Sequence, residues 1–250
     1  ILADTWEWDG VHWEQQSPEI SPPGRVTHAM AFDAARGRVV LHGGASGPGF
    51  IPETWLYDGT TWSLADDSGP AVGYHRMVYD ERRERIVLFG GYDGDTMFGD
   101  TWDWDGDTWE QVVLPTSPPP RTSFGMVYNA DRGTVVLFGG SGNLGVMTDT
   151  WEYDGTTWAP ISAGGDVWER YAPSAAYHAV TRQVVMFGGS EVIALAAPDT
   201  WIYRYEGAWP DEICDNGTDD DGDDLVDCDD HDCDFHRCGP DSLCIDGACQ

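Results

Sequence analysis

The sequence predicts an all-β fold in which a unit of about 50 residues, built from short strands, recurs along the 250-residue chain. Three observations predict it. An acidic residue followed by Thr and Trp recurs at intervals of 47 to 50 residues. A second Trp follows each copy after seven or eight residues, and Gly-Gly pairs recur between copies at residues 43–44, 90–91, 139–140 and 188–189. The two tryptophans of each copy are Trp6 and Trp13, Trp55 and Trp62, Trp102 and Trp109, Trp151 and Trp158, and Trp201 and Trp209.

Within one copy, the pattern predicts four strands in a fixed order. Residues 27–32 form the first strand, and a turn at 33–37 leads into the second strand at 38–42, which ends at the Gly-Gly pair. A variable loop precedes the third strand at 54–57, and Asp58-Gly59 separates it from the fourth at 60–64. β-Branched and aromatic residues bounded by turn residues are typical of such strands.

Asp-Gly between two strands predicts a two-residue hairpin turn, because both central positions of that turn favour positive φ. This register places Trp55 directly opposite Trp62, and it pairs the two tryptophans of the copies at 6, 102 and 151 in the same way. Trp201 and Trp209 are eight residues apart, so the turn of the last copy holds one more residue. We interpret these tryptophans as structural cross-strand pairs rather than as sugar-binding platforms.

The repeat resembles the kelch repeat, of the type found in secreted bacterial proteins. Gly-Gly at the end of strand two, the Trp pair flanking Asp-Gly, and an Arg opening strand one carry the resemblance. This position holds Arg25, Arg121 and Arg170 in the first, third and fourth complete copies. Val72 takes its place in the second complete copy. The resemblance covers residues 1–209 and implies a β-propeller of four-stranded blades, each burying an apolar face against its neighbours.

The sequence holds too few blades for a closed propeller of the usual size. Residues 25–209 supply four complete blades, and residues 1–15 supply only strands three and four of another. Since kelch propellers usually have six or seven blades, we expect further blades upstream of Ile1. A five-bladed ring that borrows a half blade is the alternative.

Composition restricts the partners and divides the chain. The sequence holds 44 acidic and 13 basic residues, and its net charge of -31 opposes binding to nucleic acid or to an anionic membrane. No apolar run is long enough to span a bilayer, so we expect no membrane insertion. Residues 210–250 carry 15 acidic residues, one Arg and all six cysteines, which marks them as a separate small module.

We expect the binding face where loops 2–3 and 4–1 emerge, because these connections vary between copies while the others are short and uniform. The expected ligands are protein or glycan. The candidate residues are Arg25, Phe50, Tyr92, Asp93, Phe98, Arg121, Asn143, Trp168 and Arg170. Alternatively, the arginines pair with acidic neighbours between blades, and Trp168 packs between blades.

We predict no catalytic residues and no enzyme. Some kelch propellers, of the galactose-oxidase type, use copper and a Tyr–Cys crosslink, but residues 1–209 contain no cysteine. No nucleophile and base are readable as a pair either. The alternative is that the chain is the propeller portion of a secreted carbohydrate-active enzyme whose catalytic residues lie outside it.

The acidic module resembles short Asp- and Cys-rich metal-binding repeats of large bacterial surface proteins, and this resemblance implies calcium as a cofactor. Alternating aspartates around Gly222 supply the carboxylate oxygens that Ca²⁺ favours. The candidate ligands are Asp215, Asn216, Asp219, Asp221, Asp223 and Asp227. A disulfide-linked acidic spacer without metal is one alternative, and a zinc site built from the alternating Cys and His residues at 228–238 is another.

Six clustered cysteines in a short acidic module suggest three disulfides and an oxidising compartment. We therefore expect a secreted or cell-surface protein, in a bacterial extracellular setting. Fifteen pairings of the six cysteines are possible and the spacing does not choose among them. The cysteines are Cys214, Cys228, Cys233, Cys238, Cys244 and Cys249.

Overall fold

The computed structural model describes residues 1–47, 49–143, 145–161, 172–190 and 200–203, and the backbone of 237–239, 242–245 and 248–249. The chain divides into two units, Ile1–Tyr203 and Arg204–Gln250. All regular structure in the described residues is β, and none of them forms a helix that could cross a membrane.

The first unit contains a two-stranded half blade followed by four blades. Each of the first three blades is a complete four-stranded antiparallel sheet. The half blade consists of β1 (Thr5–Trp8) and β2 (Trp13–Gln16). The first blade contains β3 (Ala29–Asp33), β4 (Arg38–His42), the short pair β5 (Ala45–Ser46) and β6 (Gly49–Phe50), β7 (Thr54–Tyr57) and β8 (Trp62–Asp66).

The second blade has longer middle strands than the others. It contains β9 (Arg76–Asp80), β10 (Arg85–Tyr92), β11 (Met97–Trp104) and β12 (Trp109–Val112). The third blade contains β13 (Gly125–Asn129), β14 (Thr134–Phe138), the short pair β15 (Ser141–Gly142) and β16 (Gly145–Val146), β17 (Thr150–Tyr153) and β18 (Trp158–Ile161). The described part of the fourth contains β19 (Ser174–His178), β20 (Gln183–Phe187) and β21 (Thr200–Tyr203).

The four blades predicted by the sequence are thus present, and their first strands β3, β9, β13 and β19 lie next to one another in succession. This is the order expected of the innermost strands in a radial array of blades. In the second unit the described backbone forms one small antiparallel sheet, β22 (Arg237–Gly239), β23 (Ser242–Ile245) and β24 (Ala248–Cys249).

Alternate residues of each second strand face opposite neighbours, because side chains in a strand alternate between its two faces. In the second blade, Ile86 and Leu88 pack in a cluster with residues of the first blade. Val87 and Phe89 pack in a different cluster with residues of the third blade. All four are at most 1% exposed, and burying such a side chain contributes about 1.5–3 kcal/mol.

The recurring Gly-Gly pair lets one blade approach the next without an intervening side chain. Gly43 and Gly44 have φ angles of 67° and 88°, in the left-handed region that favours glycine. The Gly44 N–H donates to the Val72 carbonyl (2.8 Å), and a Cβ on Gly43 would lie 2.5 Å from that same oxygen. The Gly91 N–H makes the equivalent bond to the Arg121 carbonyl (3.0 Å).

The second Trp of each of the first three blades donates a hydrogen bond to the Thr that precedes the first Trp of the preceding sheet. This bond explains why Thr and Trp recur together, since each pair ties two successive sheets. The bonds join Trp62 to Thr5 (2.9 Å), Trp109 to Thr54 (2.8 Å) and Trp158 to Thr101 (2.9 Å).

The hairpins between strands three and four turn one residue later than the sequence predicts. Tyr57 lies opposite Trp62, and Trp55 lies opposite Leu64. The prediction that the two repeated tryptophans are direct cross-strand partners is therefore wrong. Each partner moves by two positions, so both tryptophans keep the same face of the sheet and lie in one apolar cluster. The same register pairs Trp8 with Trp13, Trp104 with Trp109 and Tyr153 with Trp158.

The Asp side chain sets this register. Asp58 Oδ1 accepts the N–H groups of Thr60 (2.8 Å) and Thr61 (2.9 Å), and these bonds lower the pKa of Asp58 to about 2. Gly59 has a φ of 94°, whereas Asp58 has no positive φ. A turn centred on Asp58-Gly59 needs positive φ at both positions, so the capping carboxylate moves the turn onto Gly59-Thr60.

Candidate interaction face

The segments that differ between blades emerge on one side of the first unit, which we call the loop face. It consists of the 2–3 connections at residues 45–53, 92–100 and 141–149, and the 4–1 connections at 67–73 and 113–122. The opposite side carries the Asp-capped 3–4 turns, which repeat the same hydrogen bonds at Asp58, Asp105 and Asp154.

The loops on this face are anchored to the blades by backbone bridges. Val26 bridges to Ala45, Gly73 to Tyr92 and Thr122 to Ser141, so each 2–3 loop is tied to the segment leading into strand one. The described loops therefore have fixed bases, although their tips differ. A rigid base with variable tips is the usual arrangement of binding loops.

A series of four residues with left-handed backbone conformation lies next to these bridges, just before the innermost strands. Thr27, Tyr74, Ser123 and Ala172 have φ angles between 54° and 60°, which is uncommon for residues other than glycine. Each is hydrogen-bonded to the next: Tyr74 to Thr27 (2.9 Å), Ser123 to Tyr74 (3.4 Å) and Ala172 to Ser123 (2.6 Å). This backbone chain holds successive blades together on the loop face.

Arg25 and Arg121 form hydrogen bonds that join the connections beneath the loop face. Arg121 is fully buried, and its guanidinium group donates to both carboxylate oxygens of Asp149 (2.7 Å each) and to the Gly139 carbonyl (2.9 Å). Burial alone would raise the pKa of Asp149, but hydrogen bonds from Arg121 and Trp151 outweigh it and lower that pKa. Arg25, which is 6% exposed, donates to one carboxylate oxygen of Glu53, the acidic residue of its own blade.

Both guanidinium groups are bound by acceptors of this chain, and the expectation that the two arginines contact a ligand stays a prediction. The acidic partner of each arginine belongs to its own blade, and not to a neighbouring blade as the alternative supposed. Arg25 binds Glu53 (2.6 Å), which immediately precedes strand three of the same blade, and Arg121 likewise binds Asp149 within the third blade. Each arginine thus ties the 4–1 connection to the end of the 2–3 loop.

The second blade has a cavity of about 250 Å³ at the corresponding place on the loop face. Sequence reasoning named two residues of its lining, Asp93 and Phe98, and noted the departure at Val72. It missed Asp100 and Trp102, whose significance depends on what their equivalents bind in other blades. The lining comprises Pro70, Ala71, Val72, Gly90, Asp93, Phe98, Asp100 and Trp102.

Two further candidates meet across the first and second blades. The rings of Phe50 and Tyr92 pack edge to face, with 6.0 Å between ring centres, and Phe50 also approaches Gly73. The Tyr92 hydroxyl donates to the Gly94 carbonyl. Both aromatic side chains are partly exposed, so the structure brings these two predicted residues together on the loop face.

Asp93 and Asn143 lie at separate loop tips. Asp93 caps its own turn by accepting the N–H groups of Asp95 (2.9 Å) and Thr96 (2.7 Å), and these bonds lower its pKa. Asn143 is exposed between β15 and β16. The structure brings Asp93 together with Phe98 at the cavity and leaves Asn143 apart on the third blade.

Several predicted residues lie outside those whose side chains the structure describes. They include the two candidates Trp168 and Arg170. They also include every predicted calcium ligand and every cysteine, which are Asp215, Asn216, Asp219, Asp221, Asp223, Asp227, Cys214, Cys228, Cys233, Cys238, Cys244 and Cys249.

Buried histidines form a cluster that the sequence did not reveal. His42 replaces the Phe found at the same position of the other blades, and its ring bonds to Thr54 (2.8 Å) and to the Pro70 carbonyl (2.9 Å). Burial lowers the pKa of His42 to about 4, partly offset by the bond to Pro70. His75 lies 5.7 Å away between ring centres, and burial lowers its pKa well below the usual value.

The arrangement on the loop face suits recognition by shape and charge. The described parts of the chain contain no group of three or more His, Cys, Asp or Glu residues placed to hold a metal ion. The face offers partly exposed aromatic rings, acidic side chains and the cavity of about 250 Å³ in the second blade. Aromatic residues of this kind supply much of the binding energy at protein interfaces.

A family comparison agrees with the fold. The family model described as the KLHDC2/KLHL20/DRC7 Kelch-repeats domain matches residues 60–209, which include the second and third blades and the described part of the fourth. No curated protein matches the chain.

Proposed function

Because the chain belongs to the kelch-repeat family, whose propellers usually serve as protein-interaction modules, we propose that its loop face binds a partner protein. One observation carries this proposal: the non-repeating segments of the described blades share one side, while the other side repeats the same capped turn. Side chains that differ between blades can carry specificity, whereas a repeated turn serves every blade alike.

Charge indicates the chemistry of the partner. The chain has a net charge of -31, and residues 92–100 place Asp93, Asp95 and Asp100 close together in sequence. Opposite charge accelerates association and selects among partners, whereas like charge repels them. A basic protein segment therefore fits this face better than an acidic one, and better than a neutral glycan.

The chain offers a matched pair of variants for testing the face. The sequence Asp-Gly-Asp-Thr occurs at residues 93–96 on the loop face and again at 105–108 on the opposite side of the same blade. In each, the second Asp donates its N–H to the first Asp (2.9 Å in both). Asp95→Arg and Asp107→Arg thus make the same charge change in the same local turn.

The experiment selects binders from a displayed library of peptides and small domains against the whole immobilised chain, and measures their affinities by biolayer interferometry. We expect Asp95→Arg to weaken the selected binders by about tenfold or more, and Asp107→Arg to leave them within about twofold. Equal loss in both variants, or binders that only Asp107→Arg weakens, would overturn the proposal. Selection from a glycan array in parallel tests the glycan alternative.

We also propose that the second unit is a calcium-binding, disulfide-linked appendage of a secreted or surface protein. The carboxylates at Asp219, Asp221 and Asp223 and the six cysteines of residues 210–250 support it. Calorimetric titration of the oxidised chain with Ca²⁺ tests it, with the triple Asp→Asn variant at those positions as control. No heat at millimolar Ca²⁺ would rule the appendage out as a calcium site.

A further inference from the structure

The second blade lacks a side chain that its neighbours bury. Arg25, Val72 and Arg121 occupy one repeat position, since each lies 18 residues before the first Gly of its Gly-Gly pair. Each also lies 28 residues before the acidic residue that precedes the Thr-Trp pair of its blade. The alignment involves no insertion, so the second blade has replaced a buried arginine by valine and kept the rest of the unit.

In the first and third blades the guanidinium group is held by three kinds of acceptor. Its Nε donates to a proline carbonyl two residues earlier, Pro23 (3.2 Å) or Pro119 (3.1 Å). Nη1 donates to the first glycine of the pair, at 3.1 Å for Gly43 and 2.9 Å for Gly139. Nη2 donates to the acidic residue, at 2.6 Å for Glu53 and 2.7 Å for Asp149.

The second blade retains the equivalents of all three acceptors, and all three line its cavity. They are Pro70, Gly90 and Asp100. The Pro70 carbonyl already accepts hydrogen bonds from His42 (2.9 Å) and from the Val72 N–H (3.0 Å). Gly90 and Asp100 are therefore the acceptors that a guest cation would use.

The Asp100 carboxylate differs from its equivalents in having no hydrogen bond or ion pair with the described residues. In the first and third blades the acidic residue also accepts a bond from the Trp two positions later, at 2.8 Å for Trp55 and 2.7 Å for Trp151. The equivalent Trp102 makes no such bond with Asp100. The carboxylate is half-buried at the cavity. Within the part of the chain that the structure describes, its oxygens accept no hydrogen bond.

The remaining walls also suit a planar cation. Phe98 and Trp102 line the cavity with aromatic surface, and guanidinium groups stack on aromatic rings more readily than ammonium groups do. Asp93 adds a second carboxylate to the lining. The volume of about 250 Å³ lies below the range of about 300–1,000 Å³ for small-molecule sites, which favours one inserted side chain over a larger ligand.

We propose that this cavity, bounded by Val72, Gly90 and Asp100, receives an arginine side chain of the partner protein. The inference rests on the proposed function of the loop face and names the residue that the face recognises. The guest guanidinium group would donate to the Gly90 carbonyl and the Asp100 carboxylate, as Arg25 and Arg121 do to the equivalent groups in their own blades. Lysine would offer the charge without the planar pair of donors.

The probe is Nα-acetyl-L-arginine N-methylamide, which presents an arginine side chain as a peptide does. We would titrate it into the ¹⁵N-labelled chain and follow the indole N–H resonance of Trp102, assigned through Trp102→Phe. We expect a saturable shift with millimolar affinity, about −4 kcal/mol. The citrulline analogue, which has nearly the same shape and no charge, should bind at least about tenfold more weakly.

Two variants test the pocket itself. Val72→Arg supplies the arginine from within, as in the neighbouring blades, and should abolish the shift. Asp100→Asn removes the anion and should weaken binding about tenfold or more, while Asp107→Asn on the opposite side should have no effect. If Val72→Arg fails to fold, Asp100→Asn and the citrulline probe still decide the question.

Absence of a saturable shift at tens of millimolar arginine analogue, equal shifts with citrulline, or full binding by Asp100→Asn would each overturn the inference. The outcome is separable from that of the proposed function. Binders weakened by Asp95→Arg but unaffected by Val72→Arg would leave the loop face intact and refute the arginine pocket. Conversely, saturable binding of the arginine analogue, with no protein binder weakened by Asp95→Arg, would support the pocket and refute the proposed function of the loop face.

Discussion

The second and third blades are built from one repeat, but only the third fills the space beside its Gly-Gly pair. In the third blade, Arg121 fills the space between the 4–1 connection and the Gly-Gly pair, and it satisfies Asp149. In the second blade, Val72 leaves that space open, and the Asp100 carboxylate has no partner among the described residues. The acceptors belong to the backbone and acidic residue of the repeat, so they persist when the arginine is lost. A repeat can therefore turn a structural position into a receptor by deleting one side chain.

The first blade departs from the third at a different buried position. His42 stands where the third blade has Phe138, and its ring nitrogens bond to Thr54 and Pro70 while the ring packs against Trp109 (4.7 Å between ring centres). Burial holds its pKa near 4, so the ring is neutral at pH 7. The two departures meet at Pro70, whose carbonyl accepts from His42 and which also lines the cavity of the second blade.

The largest expected effect is the loss of the third blade's arginine. Arg121→Met should lower the free energy of unfolding by about 3 kcal/mol, because Asp149 and the Gly139 carbonyl lose their buried partner. Urea denaturation at pH 7 measures it. The matched control Val72→Met puts the same residue at the same position of the second blade and should cost less than about 1 kcal/mol. Equal losses would mean that the two positions do not differ as described.

Because the first blade has His42 in place of Phe, the free energy of unfolding should depend on pH. The pKa of His42 is lowered from 6.5 to about 4 in the folded chain, so below pH 6.5 the unfolded chain binds a proton that the folded chain does not. The free energy of unfolding is unaffected by this group above about pH 6.5 and falls between about pH 6.5 and 4. The full loss is about 3 kcal/mol, at 1.36 kcal/mol for each pKa unit.

His42→Phe introduces the residue of the third blade and should remove this part of the pH dependence. His75, which is also buried, keeps its own contribution, so the slope is reduced and not abolished. Urea denaturation at pH 7.5, 6 and 5 measures the slope, and exposed His12→Phe is the control. An unchanged slope in His42→Phe would show that His42 is protonated or hydrated in the folded chain.

Much of this architecture could be predicted from the sequence because it depends on patterns that each blade repeats. The four strands, the Gly-Gly pairs and the loop face follow from turn residues and from loop variation. The hairpin register did not follow, because Asp58 acts as a cap and its side-chain hydrogen bonds move the turn by one residue. Both tryptophans still lie on one face of the sheet, because moving the turn by one residue shifts each cross-strand partner by two positions.

The cavity could be predicted only in part. The sequence shows that Val72 replaces an arginine, but the meaning of that change depends on which carbonyl and carboxylate groups surround Arg25 and Arg121. Those partners lie 18 and 28 residues away in the chain, and only the folded blade brings them together. The same holds for His42, whose partner Pro70 belongs to the next connection.

A smaller effect tests the bonds that tie the second and third blades. Thr101→Val should cost about 1–2 kcal/mol, because the buried Trp158 N–H loses its acceptor. Thermal unfolding measures it, and Thr108→Val, at an exposed turn position of the same blade, should change stability by less than about 0.5 kcal/mol. If the two variants are equally stable, the Thr–Trp bond contributes nothing to the association of the blades.

The smallest effect is the one that restores the repeat. Val72→Arg should raise the free energy of unfolding by about 1 kcal/mol, because new charge-assisted hydrogen bonds to Asp100 and Gly90 slightly exceed the cost of burying the guanidinium group. Urea denaturation of Val72→Arg, Asp100→Asn and the double variant forms a cycle that isolates the interaction of the two side chains. We expect a coupling of about 1–3 kcal/mol. Zero coupling would mean that the new arginine points to solvent, and that the second blade has lost the geometry which Arg121 still occupies in the third.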